Sequence, residues 1–136
     1  MKIVNDFPPI WDQIQASGMN PPEDRIIFTY GDTIYVPSGR ELEDHLIVHE
    51  ETHCNQQGED PDVWWSRYID DPWFRIDQEC EAYGRQYAYL CRVVKDRNRQ
   101  TRILVDLARV LSGPTYGYVI GMPKAMEMIK ESSNDV

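Results

Sequence analysis

The segment His49-Glu50-Glu51-Thr52-His53 constrains this chain more than any other. In an extended strand, side chains four residues apart stand roughly 13 Å from one another. On a helix they lie on one face, one turn above the other. Two imidazoles at that spacing can meet one metal ion through bonds of about 2.0–2.1 Å. Glu50 is rotated about 100° from His49, so its carboxylate stands beside such an ion rather than on it. From there it can take a proton from a water molecule. The segment is therefore read as a helix, and a third donor has to come from elsewhere in the chain.

The flanking sequence agrees with a helix. Ser38 and Glu41 have the spacing of a capping box, and Leu42, Leu46, His49 and His53 recur at helical intervals, which predicts a helix over residues 40–57. Before it, residues 25–30 and 33–36 are rich in β-branched and aromatic side chains and are joined by Gly31-Asp32, the signature of a hairpin. A short helix over residues 10–17 is predicted between the proline pairs Pro8-Pro9 and Pro21-Pro22. Residues 58–71 read as a polar connector whose Trp64, Trp65 and Tyr68 either anchor it over the core or line a cleft.

Asp71-Pro72 starts a second long helix, predicted to run to about residue 95. Its apolar stripe is Ile76, Cys80, Tyr83, Tyr87, Leu90 and Val94. Measured from the centre of that stripe, Glu79 lies about 60° away and Glu81 about 140° away. Glu79 thus faces inward, where a carboxylate needs a cation, and is the preferred third donor over Glu81. A further helix is predicted over residues 98–111, ended by Gly113-Pro114, and a last one over 123–130, followed by a frayed tail. The charged stretch 95–99 reads as a solvated helix junction.

On these residues the chain resembles a gluzincin metallopeptidase reduced to near its smallest scaffold. That group carries H-E-x-x-H on one helix and a ligand glutamate in an E-x-x-A pattern on the next, matched here by His49, Glu50, His53, Glu79 and Ala82. The resemblance covers residues 25–90 and extends to compact zincin-like proteins of phage and bacterial genomes. It implies an α+β zincin-like fold, with a small twisted sheet beside the active-site helix and the glutamate helix packed against it. It also implies that His49, His53 and Glu79 bind Zn²⁺ and that Glu50 is the catalytic base. The expected function is a zinc metallopeptidase, an endopeptidase acting on a peptide or protein laid along the edge of the hairpin. Two other readings stand beside it: a zinc site that only stabilises a structural or binding protein of a larger assembly such as a phage particle, and a zinc hydrolase of a non-peptide amide.

The chain departs from the pattern at Tyr83, where many gluzincins place an aspartate that orients the first histidine. An oxyanion stabiliser is sought in Tyr116, with Tyr83 as the other candidate. His45 lies one turn before His49 and is assigned to packing or support, because it stands two turns from His53. Cys54 and Cys80 are read as small buried hydrophobes.

Composition narrows the remaining choices. The 136 residues make one domain, 1–136, large enough for a single core without staples. With 23 acidic against 14 basic residues the net charge is −9, which argues against nucleic acid or an anionic membrane as partner. Three cysteines with no CxxC fit free thiols, and no apolar run reaches the ~18 residues of a membrane span. No signal-peptide pattern opens the sequence, so a cytoplasmic location is expected.

Overall fold

Aspartates start three of the helices. Asp60 accepts a hydrogen bond from the Val63 amide, Asp71 from those of Trp73 and Phe74, and Asp96 from that of Asn98. Two of these caps are followed at once by proline, whose fixed φ suits the first helical turn and whose missing N–H costs nothing there. The structure, a computed structural model, describes residues 1–19, 21 and 26–136.

The elements run β1 (Lys2–Val4), α1 (Trp11–Ala16), β2 (Phe28–Tyr30), β3 (Thr33–Tyr35), α2 (Asp44–Gln57), α3 (Pro61–Asp70), α4 (Pro72–Val93), α5 (Arg97–Leu111), a 3-10 turn at Pro114–Tyr116 and α6 (Met122–Ser133). The fold is α+β, mostly helical, with one three-stranded sheet of order β1-β3-β2. β2 and β3 form the expected hairpin, pairing Thr29 with Ile34. β1 joins β3 in parallel, Ile3 opposite Ile34, and makes β3 the central strand. This strand was not expected; only three residues long and largely exposed, it carries no alternation that a pattern could detect. Pro22 and Arg25, assigned above to a proline pair and a strand, lie outside the described residues.

Other boundaries shift for identifiable reasons. The helix expected from residue 40 begins at Asp44, because Glu43 is still extended and Ser38 Oγ accepts from the nearby Arg40 amide instead of closing a capping box. Residues 58–71, read as a connector, contain the full helix α3. The last helix reaches Ser133, beyond the expected stop.

Three apolar clusters hold these parts together. One joins α4, α5 and α6 through Ile76, Leu104, Ala108, Leu111 and Ile129. A second packs α1 on α3 through Ile10, Ile14, Trp64, Trp65 and Tyr68. The third seats the sheet on α2 through Ile34, Val36 and Leu42, with Leu46 and Ile47 at its border. Helix α4 packs against α2 on one side and α6 on the other, so it runs through the middle of the molecule. No helix among the described residues is long and apolar enough to cross a membrane.

The approach of α6 to α4 is set by Gly84. A Cβ there would stand 2.5 Å from Ser132 Oγ and 2.6 Å from Ser132 Cβ. Gly84→Ala is expected to destabilise the protein by about 1–3 kcal/mol, the range for overpacking. A second change, Ser132→Gly, should restore much of the loss; thermal melts of the single and double variants check both.

Candidate metal centre

Helix α2 delivers its chemistry by register. His49, His53 and Gln57 follow at four-residue intervals and all three are buried. Gln57 anchors the helix on the sheet: its Nε2 donates to Thr29 O at 2.7 Å and its Oε1 accepts from the Gly31 amide at 2.8 Å. The Trp65 indole donates to the same Thr29 carbonyl at 3.0 Å. Two hydrogen-bonding positions on the outer edge of β2 are thereby filled.

From α4, Glu79 enters between the imidazoles and is 3% exposed, while Glu81 is at the surface. Glu79 Oε1 stands 3.0 Å from His49 Nε2 and 3.2 Å from His53 Nε2, and the two Nε2 atoms are 3.2 Å apart. Two donors on one tetrahedral ion with bonds of about 2.0–2.1 Å would lie roughly 3.3–3.4 Å apart. The triangle therefore has nearly the edge lengths of a metal site.

The tautomers sharpen that agreement. Gln56 Nε2 donates to Gln78 O and Glu81 Oε1, both at 2.9 Å, and neither partner can donate in return. Its Oε1 is thus the atom 2.8 Å from His53 Nδ1, which must carry the proton. On the other ring, Glu43 accepts from His45 Nε2 at 2.9 Å, leaving His45 Nδ1 to accept from Gln86 Nε2 at 2.8 Å. Gln86 Oε1 then accepts from His49 Nδ1 at 2.9 Å. This assignment follows from the partners. In the neutral rings both Nε2 atoms are therefore bare, so three lone pairs converge where hydrogen-bond distances alone suggest ordinary bonds. Only a proton or a cation placed among them removes the repulsion. Buried His49, Glu50 and His53 form a group able to hold a metal ion, their nearest ligand atoms all within 4.8 Å of one another.

Two carboxylates border this group, and their settings differ. Glu79 Oε2 accepts from Tyr68 OH at 2.5 Å, which leaves Oε1 for the imidazoles. Glu50 is held back: Thr29 Oγ1 donates to its Oε1 at 3.2 Å, and its Oε2 is 3.8 Å from His49 Nε2. Glu79 is thus the closer donor and Glu50 the flanking group. Burial opposes charge on Glu79, yet the imidazoles, His53 foremost, hold its carboxyl well below the usual carboxylate range. Burial opposes charge on His53 too, but Glu79 outweighs it and lifts the imidazole to about 9. Burial pushes the Glu50 carboxyl up, against the pull of both imidazoles.

Several expectations about neighbouring side chains change. Tyr83 does not hydrogen-bond His49; its ring packs edge-on against the imidazole, centroids 4.5 Å apart, and its hydroxyl meets that of Tyr116 at 2.8 Å. Gln86, two turns beyond Glu79 on the same face of α4, takes the place expected of Tyr83. His45 supports from a distance, through Gln86. Trp64 and Trp65 belong to the core and also wall a cavity: Trp64 stacks on Tyr68 and packs beside the His53 ring. Cys80 is buried, Cys54 only half so, and Cys54, Cys80 and Cys91 are free thiols.

Sequence reasoning passed over Arg75. It is 8% exposed and donates to Tyr68 O at 2.9 Å, Ile69 O at 2.8 Å and Tyr116 O at 3.3 Å. It ties the end of α3 to the 3-10 turn and so holds Tyr68 and Tyr116 on either side of Glu79. Tyr116 OH donates to Glu79 Oε1 at 3.3 Å. Burial and the neighbouring Glu79 push both phenols up, which keeps them protonated donors.

Two cavities open at this point. One of about 100 Å³ is walled by Phe28, Trp64, Trp65 and Tyr68; the other, about 550 Å³, runs past Leu46, Leu107 and Val110. His49, Glu50 and Tyr116 border both. No family model, curated protein or solved structure matches the chain.

Metal content separates the donors. His49→Ala, His53→Ala and Glu79→Ala should each lose stoichiometric metal, whereas Glu81→Ala should retain it, as read by elemental analysis of folded protein. Loss in Glu81→Ala alone reverses the assignment.

Proposed function

We propose that the protein is a zinc-dependent metallopeptidase, an endopeptidase in which His49, His53 and Glu79 hold the ion and Glu50 is the general base. The observation that carries this is the convergence of His49 Nε2, His53 Nε2 and Glu79 Oε1 to 3.0–3.2 Å of one another, with a second, separately held carboxylate beside them. Two nitrogens and one oxygen form a donor set suited to zinc, three protein ligands with a fourth position free. Zinc, when bound, supplies a Lewis acid that polarises a carbonyl and makes water more acidic.

The chain's own residues do the rest. Glu50 keeps Oε2 toward the centre while Thr29 holds Oε1. Burial makes its carboxylate a stronger base. It takes a proton from the attacking water and passes it to the leaving amine. Tyr116 borders both cavities, and its hydroxyl, which donates to Glu79 Oε1 in the resting site, would turn to the oxygen on which negative charge develops. Tyr83 supports it through their hydroxyl contact.

The two cavities meeting at His49 and Glu50 favour catalysis over a purely structural ion, whose site would be closed by a fourth protein ligand. The larger one, about 550 Å³, is bordered by the apolar side chains of Ile27, Leu46, Leu107 and Val110. Backbone pairing along β2 is limited, since Gln57 and Trp65 already occupy Thr29 O and Gly31 N. A substrate strand would pair upstream, near Ile27, which lines both cavities.

Digestion of a peptide library with and without chelator tests the reading; absence of chelator-sensitive cleavage overturns it. Glu50→Gln should keep its metal and lose about 10²–10⁴-fold in turnover. A variant as fast as wild type would remove Glu50 from the mechanism. Tyr116→Phe should lower kcat about 10²-fold with metal content unchanged.

A further inference from the structure

Whether His49 and His53 can accept a metal at all depends on which ring nitrogen carries the proton, and two glutamines decide that. We infer that Gln86 and Gln56 are positioning residues that lock His49 and His53 in their Nδ1–H tautomers. In each case the amide is itself oriented by hydrogen bonds ending on a surface carboxylate, Glu43 for one and Glu81 for the other. The inference rests on the metal-centre reading and extends it to side chains that never touch the ion.

An amide has two unlike ends of nearly the same shape. Rotated by half a turn, Gln86 would present its NH₂ to His49 Nδ1. The ring would then keep its proton on Nε2 and turn no lone pair toward Glu79. His45 prevents this, because its Nδ1 accepts from Gln86 while its Nε2 is committed to Glu43. On the other ring the same task falls to the Gln78 carbonyl and Glu81, both able only to accept from Gln56. The two relays differ in burial. Gln86 is 2% exposed between α2 and α4, whereas Gln56 is half-buried at the rim.

A carboxylate in these positions would impose the same tautomer without needing an orientation of its own, and would make the imidazole a stronger donor. Neutral amides leave Glu79 as the one charged ligand proposed here. The histidines are then weaker donors, and more of the ion's positive charge remains to act on substrate. Glutamine in place of a carboxylate thus exchanges some affinity for Lewis acidity.

The test is zinc affinity of the full chain by competition with a chromophoric chelator, with circular dichroism for the fold and the cobalt-loaded absorption spectrum for coordination. Gln86→Met keeps the volume and removes the acceptor; it should weaken zinc binding about 10–100-fold while the fold stays intact. Gln86→Glu restores an acceptor and should bind at least as tightly as wild type, a rescue that a packing role would not produce. Gln56→Met, at the half-buried site, should repeat the loss and carries the test if Gln86→Met does not fold. Met variants binding as tightly as wild type, or a Glu variant as weak as Met, overturn the inference. Wild-type protein that takes up no zinc overturns the metal centre itself, a different result.

Discussion

The buried carboxylate of Glu79 is the interaction on which the rest of the structure depends. An ionised carboxylate at 3% exposure is costly by several kcal/mol unless its oxygens are engaged. Here they are engaged by side chains from three directions: His49 and His53 on α2, Tyr68 on α3 and Tyr116 on the 3-10 turn. Arg75 holds the backbone behind both tyrosines. Apolar contacts, being non-directional, would tolerate many arrangements of these helices; the carboxylate tolerates few. It fixes where α2 and α4 cross and at what height.

The same group sets the electrostatics. Glu79 and His53 stabilise one another's charge, the carboxyl falling and His53 rising to about 9. A cluster of this kind could hold a metal ion, and protons would compete with it for the same atoms. Glu50, one residue from His49, shares the burial but not the arrangement. Its shift is upward, because burial outweighs the pull of the imidazoles and of the Thr29 hydroxyl. Two buried glutamates with opposite shifts thus stand 3.0 and 3.8 Å from the same His49 nitrogen.

Much of this was legible in the chain because it rests on periodicity. The His49–His53 spacing, the inward turn of Glu79 and the outward turn of Glu81 follow from about 100° per residue and need no tertiary information. The Asp71-Pro72 start was readable as a cap, and Asp60-Pro61 carries the same signal; it was passed over because the short, polar stretch around it hid the helix. What was not legible depends on packing between elements. Periodicity puts Gln86 on the same face of α4 as Glu79, but it reaches His49 only because α2 and α4 cross where they do, which no local pattern carries. Arg75 is similar: its role lies in three carbonyls contributed by other segments. β1 is held by pairing with β3, thirty residues away in the chain, and three exposed residues carry no pattern of their own.

The seating of Gln57 on β2 has a consequence for how this molecule behaves in a crowd. A small sheet offers two open flanks to which a stranger's backbone can zip, the usual route to fibrils. One flank here is stoppered by a glutamine amide and a tryptophan indole. The opposite flank is β1, three residues long and led by a lysine, a short and charged edge that offers little for lateral growth.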